Sequence, residues 1–281
     1  MSEFEDWIGR SQSVIDVLEP ARSNALDVAL SGEGGGKTGD PLPLLHHWLY
    51  FWDVKQPQGL GVDGHPAKGG FLPPVPLPRR MWAGGRVTFV KPLLLGQIVT
   101  RTSTITAIKE KTGSTGRLVF VTVRHDLDAG QGVAVSEEQD LVYREPASAM
   151  LPTPVAAPAP DAVWREEVIP DSVLLFRYSA LTMNGHRIHY DRPYAMEEEA
   201  YPGLVVHGPL QATLLVSLAA RHLDAPVTGF DFRGQQPAFD GVPLHVCGQA
   251  TEGGAEVWTQ QGKGRNMVAT VRTAVLAGNP Q

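Results

Sequence analysis

A chain of 281 residues with 42% hydrophobic side chains is long enough to bury one large core or two ordinary ones. Its formal net charge of -6 argues against a nucleic-acid partner, because phosphate selects basic surfaces. No run reaches the roughly 18 apolar residues of a membrane span, and the start MSEFEDWIGR is acidic where a targeting segment is basic, so no membrane partner and a cytoplasmic location are expected.

In chain order, the first helix candidate is PARSNALDVAL, residues 20 to 30. In the following SGEGGGKTGD, Gly36, Lys37 and Thr38 resemble a phosphate-binding loop. The leading glycine of that motif would fall at Ser31, and helix precedes it where the motif needs a strand, so the segment reads as a plain loop. His46, His47 and Trp48 lie in the aromatic run LPLLHHWLYFWD, which fits core or interface packing. Downstream of PLPRRMWAGG, the segments RVTFVKP, QIVTRTSTITAIKEK, RLVFVTVRHDL and GVAVSEEQDLVYRE alternate as long strands joined by KTGSTG and DAGQG turns, an antiparallel meander. Arg144 to Trp164 then carries five prolines among small residues and cannot propagate helix or sheet. It divides the chain into an N-terminal unit, 1–145, a Pro/Ala-rich linker, 146–163, and a C-terminal unit, 164–281.

The second unit opens with FRYSALTMNGHRIHYD, which places Asn184, His186 and His189 within six positions. Two imidazoles with Asp191 nearby are a conceivable zinc site, but no further ligand pair stands out, and no metal is expected. HGPLQATLLVSLAARHL follows, a helix of about four turns, apolar or small almost all round and therefore buried, with Gly208 as expected N-cap and Pro209 as first helical residue. GFDFRGQQP, VPLHVCGQATE, AEVWTQQGKG and MVATVRTAVLAG repeat the strand pattern, and Phe89, Pro92 and Gly96 find counterparts in Phe232, Pro237 and Gly241, so the unit reads as duplicated. The single cysteine, Cys247, alternates with its strand neighbours and reads as core. A buried helix followed by a strongly bent antiparallel sheet is the hotdog arrangement. The expected fold class is α+β, a double hotdog of two antiparallel sheets each wrapping a buried helix, the first around residues 20 to 30.

YSALTMNGHRIHYDRPYA, followed by YPGLVVHGPL, resembles the hydratase 2 signature of MaoC-type enoyl-thioester hydratases, in which a G-D-x-N-P-L-H segment precedes a buried helix opened by His-Gly. GVDGHPAKGGFLPPVPLPRRMWAGG and EEQDLVYRE are similar to the fused double-hotdog branch that includes mesaconyl-CoA and itaconyl-CoA hydratases and the mitochondrial type 2 hydroxyacyl-thioester dehydratase. The resemblance runs over the whole chain. It implies hydration or dehydration of an enoyl-CoA thioester, a substrate of short branched dicarboxylyl type, no cofactor beyond the CoA that carries it, and His189 at the signature's catalytic histidine. Asn184 stands where the signature has its aspartate, His186 where it has asparagine and Arg187 where it has proline.

Adding water across an α,β-unsaturated thioester needs a base for the water, a proton for the α-carbon and stabilisation of the enolate oxygen. His189 suits the first two. Asn184, an amide, accepts no proton at neutral pH and is assigned to orienting the water, with His186 fixing His189 or sharing the transfer. The third falls to the Gly208 N–H at the positive end of the helix. Arg79, Arg80, Arg187 and Arg192 are candidates for binding a substrate carboxylate or CoA phosphates, together with Tyr178 and with His207, which is alternatively structural. Because the first half has no N-x-H-x-x-H counterpart, catalysis is expected in the second half alone. Three alternatives stay open: a 3-hydroxyacyl-thioester dehydratase of fatty-acid synthesis, a non-catalytic acyl-CoA-binding subunit, and a thioesterase. A homodimer is expected from sheet edges left open by two fused units.

Overall fold

The computed structural model describes residues 3–30, 33–113, 116–145 and 159–274, so most of the linker lies outside the described residues. The alternating segments form strands β1 (Ser11–Val17), β2 (Arg79–Phe89), β3 (Ile98–Gly113), β4 (Gly116–Asp128), β5 (Val133–Arg144), β6 (Trp164–Val168), β7 (Val227–Gly234), β8 (Leu244–Thr251), β9 (Gly254–Gln261) and β10 (Gly264–Thr273). They join in one antiparallel sheet of order β1-β3-β4-β5-β2-β7-β10-β9-β8-β6. Read outward from the central β2–β7 pair, each half runs second, fifth, fourth, third and first strand of its own set. The duplication suggested by the strand repeat is therefore a repeat of topology, and the two sheets merge through β2 and β7, in register from Gly84 opposite Arg233 to Thr88 opposite Gly229.

Three α-helices accompany the sheet: α1 (Pro20–Leu30), α2 (Ser172–Thr182) and α3 (Gly208–His222). Each half begins with an edge strand followed by a helix, and α1 and α2 lie against each other. α3 faces the sheet instead. It packs along β7 to β10, burying Leu210, Ala212, Leu215, Val216, Leu218 and Ala219, which is the wrapped helix expected of the second half. In the first half α1 is less enclosed, with only Ser23 and Leu26 buried, because Arg22, Asn24 and Asp27 interrupt its apolar positions. Segment 71–77, FLPPVPL, kept out of helix by its prolines, supplies Val75 and Leu77 to a core with Ile105, Ile108, Val119, Val121, Val123 and Tyr143. The position that α3 occupies in one half is thus served by irregular chain in the other.

The aromatic run at 46–52 behaves as packing. His46–Leu49 is a 3₁₀ turn in which His47 Nε2–H donates to Glu137 at 3.0 Å, Trp48 Nε1–H donates to Glu137 at 2.9 Å, and His46 Nδ1 shares a hydrogen bond with Ser23 Oγ at 2.8 Å. Trp48, Trp82 and Phe232 meet edge to face at 5.0 and 5.6 Å across the junction of the halves. Cys247 is buried on β8. No helix among the described residues is long and apolar enough to cross a membrane.

Candidate active site

Asn184, His186 and His189 are five residues apart end to end, a spacing that suits neither one helix face nor one strand face. The chain solves this locally. α2, capped by the Asp171 carboxylate on Leu174 N–H at 2.8 Å, stops at Met183 in the left-handed conformation, and Asn184 N–H turns back onto Ser179 O at 2.9 Å. A short 3₁₀ turn, Arg187–His189, then brings all three side chains to one cavity of about 790 Å³. Gly185, between Asn184 and His186, serves a contact with the first half. A Cβ on Gly64 would lie 2.0 Å from Gly185 O, so the two glycines let the loop of the first half dock backbone to backbone on the motif. Arg187 N–H secures the contact by donating to Asp63 O at 2.9 Å.

His189 is held from three sides. Its Nδ1–H donates to Val205 O at 2.7 Å, which fixes the tautomer and leaves Nε2 as a bare acceptor. Its ring stacks on His207 at 3.7 Å and meets the edge of His186 at 5.5 Å. Burial pushes its pKa down to about 4, with the nearby His65 adding to the effect, so it is a neutral base at pH 7. His186 lies against His65 in a tilted ring contact at 4.1 Å and is driven down to about 2, first by burial and then by His65 and His189. Its carbonyl takes the His189 backbone N–H at 3.2 Å, but its ring meets the His189 ring only edge to face, and Val205 O is what fixes that imidazole. Asn184 Oδ1 accepts the His186 N–H at 3.0 Å, which orients the amide so that its Nδ2–H donors remain for a ligand.

The helix entrance differs from expectation by one position. His207 is the N-cap, its carbonyl taking Gln211 N–H at 3.2 Å, and Gly208 is the first helical residue. Gly208 lines the cavity, and a Cβ there would meet only Met267 Cε, at 3.7 Å. Glycine is therefore not needed to spare the protein a clash; it keeps the N-terminus of α3 open to a ligand. His207 is fully buried, shares a hydrogen bond with Ser179 Oγ at 2.8 Å and does not line the cavity, so it backs His189. Tyr178 is likewise buried, 4.9 Å behind His207, and is not placed to touch a substrate.

Of the four arginines, Arg187 is bound to Asp191 at 2.7 Å and lies over Tyr194, and Arg192 is paired with Asp240, both away from the cavity. The same pairing takes Asp191 out of any zinc set with His186 and His189. Arg79 and Arg80 do line it. Arg79 is engaged by Glu199 at 2.7 Å, whereas Arg80 forms no ion pair among the described residues and acts on His65, His186 and Lys68, lowering the proton affinity of each.

The first half also places titratable side chains on the cavity wall, where catalytic residues were expected from the second half alone. Asp63 accepts both the backbone N–H and the Nδ1–H of His65, at 3.0 and 2.9 Å, and both residues line the cavity. Asp63, His65 and His186 bring one ligand atom each within 4.8 Å of one another, the spacing of a cation site, although here the Asp63 carboxylate is already taken by His65. No spacing rule joins residue 63 to residue 186. The signal lay in the D-G-H of GVDGHPAKGG, whose glycine is the docking point.

The sequence matches the family described as hydroxyacyl-thioester dehydratase type 2 over residues 45–240. It is 50% identical over 248 residues to the mesaconyl-C(4)-CoA hydratase of Chloroflexus aurantiacus, covering 87% of this chain and 88% of that one. Among solved structures, a MaoC-like dehydratase from Phytophthora capsici superposes with a TM-score of 0.70 at 14% identity, covering 99% and 100% of the two chains. A Mycobacterium tuberculosis protein described as a double hotdog gives 0.57 at 11% identity, covering 95% and 96%. Those two share the fold.

Proposed function

The chain belongs to the hydroxyacyl-thioester dehydratase type 2 family, and on that premise we propose that it hydrates a short, branched, dicarboxylic enoyl-CoA thioester of the mesaconyl or itaconyl type, reversibly, as a hydro-lyase. The observation that carries this reading is the pairing, in one cavity, of a His189 whose Nε2 is left bare by the Val205 bond with the open helix N-terminus at Gly208. A water donating to His189 Nε2 and held by the Asn184 Nδ2–H attacks the β-carbon. Negative charge then develops on the thioester oxygen against the Gly208 N–H, where the positive end of a 15-residue helix favours it. The α-carbon then takes up a proton, which completes the addition.

Arg80 supports the dicarboxylic substrate, since a cation without an ion-pair partner on the wall of an acyl pocket suits a second carboxylate. Arg80→Gln is expected to raise KM for mesaconyl-CoA about tenfold while leaving crotonyl-CoA nearly unchanged, the pattern of a lost binding contact. The second reading, dehydration of 3-hydroxyacyl thioesters with longer chains, is supported by Phe71, Leu72, Met81, Phe120 and Leu141 on the same wall. One assay tests both. Enoyl absorbance and free thiol are followed together for mesaconyl-CoA, crotonyl-CoA and a medium-chain enoyl-CoA. Loss of absorbance without thiol is the expected result, thiol release would make the protein a thioesterase, and binding without turnover would make it a carrier subunit. The same proposal includes a cytoplasmic homodimer, supported by the free edges β1 and β6 at the two ends of the sheet.

A further inference from the structure

Hydration needs a proton delivered to the α-carbon as well as one removed from water, and the motif has lost the carboxylate that would share this work, because Asn184 stands in its place. Four imidazoles line up through the site, His65 on His186 at 4.1 Å, His186 against His189 at 5.5 Å, and His189 on His207 at 3.7 Å. Of the four, His65 has a carboxylate in hydrogen-bond contact, at 2.9 Å. The carboxylate's other oxygen takes the His65 backbone N–H at 3.0 Å, so the pair is rigid, and the whole loop is docked on the motif through Gly64 and Gly185. With Nδ1 committed to Asp63, Nε2 is the ring nitrogen left for a ligand, and the residue lines the cavity.

We propose that Asp63 and His65, supplied by the first half, are the second proton-transfer group of this site, with His65 the catalytic acid and Asp63 the residue that positions and charges it. The proposal rests on the hydratase reading above. In hydration the O–H bond of water breaks and its proton passes to His189 Nε2, while the oxygen bonds to the β-carbon. The pair of electrons from the C=C bond moves toward the thioester oxygen and then takes a proton at the α-carbon from Nε2 of protonated His65. The proton on His189 returns to His65 through cavity water, which closes the cycle with one water consumed and no net charge change. A row of adjacent imidazoles holds at most one proton comfortably, and His65 is where an anion favours it.

The charged and titratable groups around His65 fix the sign of the pH dependence. Asp63 on its own loop raises its proton affinity; burial, the strongest influence, and Arg80 on β2 lower it, and neutral His186 and His189 face it from the 3₁₀ segment. Lys68 is under the influence of both Arg80 and Asp63. His65 is therefore protonated only on the acid side of the ordinary histidine range. Activity in hydration therefore falls as pH rises through the acid side of that range, before neutrality is reached, and a substrate carboxylate neutralising Arg80 moves that fall upward.

The test is the pH profile of kcat and kcat/KM for hydration of mesaconyl-CoA and crotonyl-CoA by the intact protein, its Asp63→Asn and His65→Gln variants, with Tm measured on each. The expected result is an alkaline limb lying at higher pH for mesaconyl-CoA than for crotonyl-CoA, shifted to lower pH in Asp63→Asn and absent in His65→Gln. Losses in kcat at pH 7 are expected at about 10-fold for Asp63→Asn and about 100-fold for His65→Gln. Near-normal kcat in His65→Gln, or an unmoved limb in Asp63→Asn despite a lowered Tm, overturns the assignment and leaves the pair structural. Activity removed by a chelator and restored by zinc overturns it in favour of a cation on Asp63, His65 and His186. Inactivity of the unmodified protein on both substrates sinks the hydratase reading itself, and the dyad with it.

Discussion

His189 owes its fitness as a base to its neighbours. An exposed histidine rotates and is half protonated near its ordinary pKa, whereas this one is locked by Val205 O, backed by His207 and kept neutral by burial. His189→Ala is expected to lower kcat/KM by about 10² to 10⁴, the range for one positioned acid or base. Asn184→Ala is expected to cost less, because a badly held water is still deprotonated. The same assay with folding followed by circular dichroism ranks the two, and a larger loss at Asn184 would reverse their roles. Gly208 separates activity from stability more sharply. Its methyl would meet only Met267 Cε at 3.7 Å, so Gly208→Ala is expected to keep its Tm. Its kcat is expected to fall by about 10², the scale of one oxyanion donor. A Gly208→Ala enzyme with normal kcat would remove α3 from the mechanism.

At the scale of elements, the junction β2–β7 holds the halves together, and it depends on the glycines of MWAGG. A Cβ on Gly84 would sit 2.4 Å from Phe232 O, a backbone atom that cannot swing aside without breaking the pairing with Arg233. Gly84→Ala is expected to destabilise by about 2 to 3 kcal/mol, read as a lower Tm with the loss of Trp82 and Phe232 packing. Gly59→Ala, whose methyl would meet only Lys55 Cβ at 3.5 Å, is the neutral control. Equal Tm values for the two variants would show that the junction relaxes freely.

Across the whole molecule, several histidines are buried neutral, and this sets its acid tolerance. His46, His125 and His189 are each pushed down to about 4, all first by burial, from an unfolded value of 6.5. Between these values the unfolded chain binds more protons than the folded one, so stability is full above 6.5 and is lost as pH falls toward 4, at about 1.4 kcal/mol per pH unit for each such group. Glu137 adds a lower window. Burial alone would raise it, but His47, His125 and Trp48 hold it at about 2, so its contribution is present above 4.5 and lost below. The urea midpoint is expected to be flat between pH 7 and 8 and to drop steeply below about 6.5. A midpoint at pH 5 equal to that at pH 7.5 would contradict the linkage.

What the sequence determined by itself is what depends on local pattern. Period-two alternation specifies the strands of the two meanders, the all-round apolar run specifies a buried α3, and the N-x-H-x-x-H residues with Gly208 name the chemistry before any coordinates. Those features are legible because each is written within a few consecutive residues. Only the tertiary structure decided which long-range partners complete them. It gave His189 its tautomer through a carbonyl 16 residues away, turned His207 and Tyr178 into backing, and spent Arg187 and Arg192 on Asp191 and Asp240 while leaving Arg80 on the cavity wall. It also brought Asp63 and His65 across more than a hundred residues to the motif through a contact between two glycines. Such contacts depend on close approach and on the merged sheet that sets the halves side by side, and neither leaves a period or a spacing in the chain.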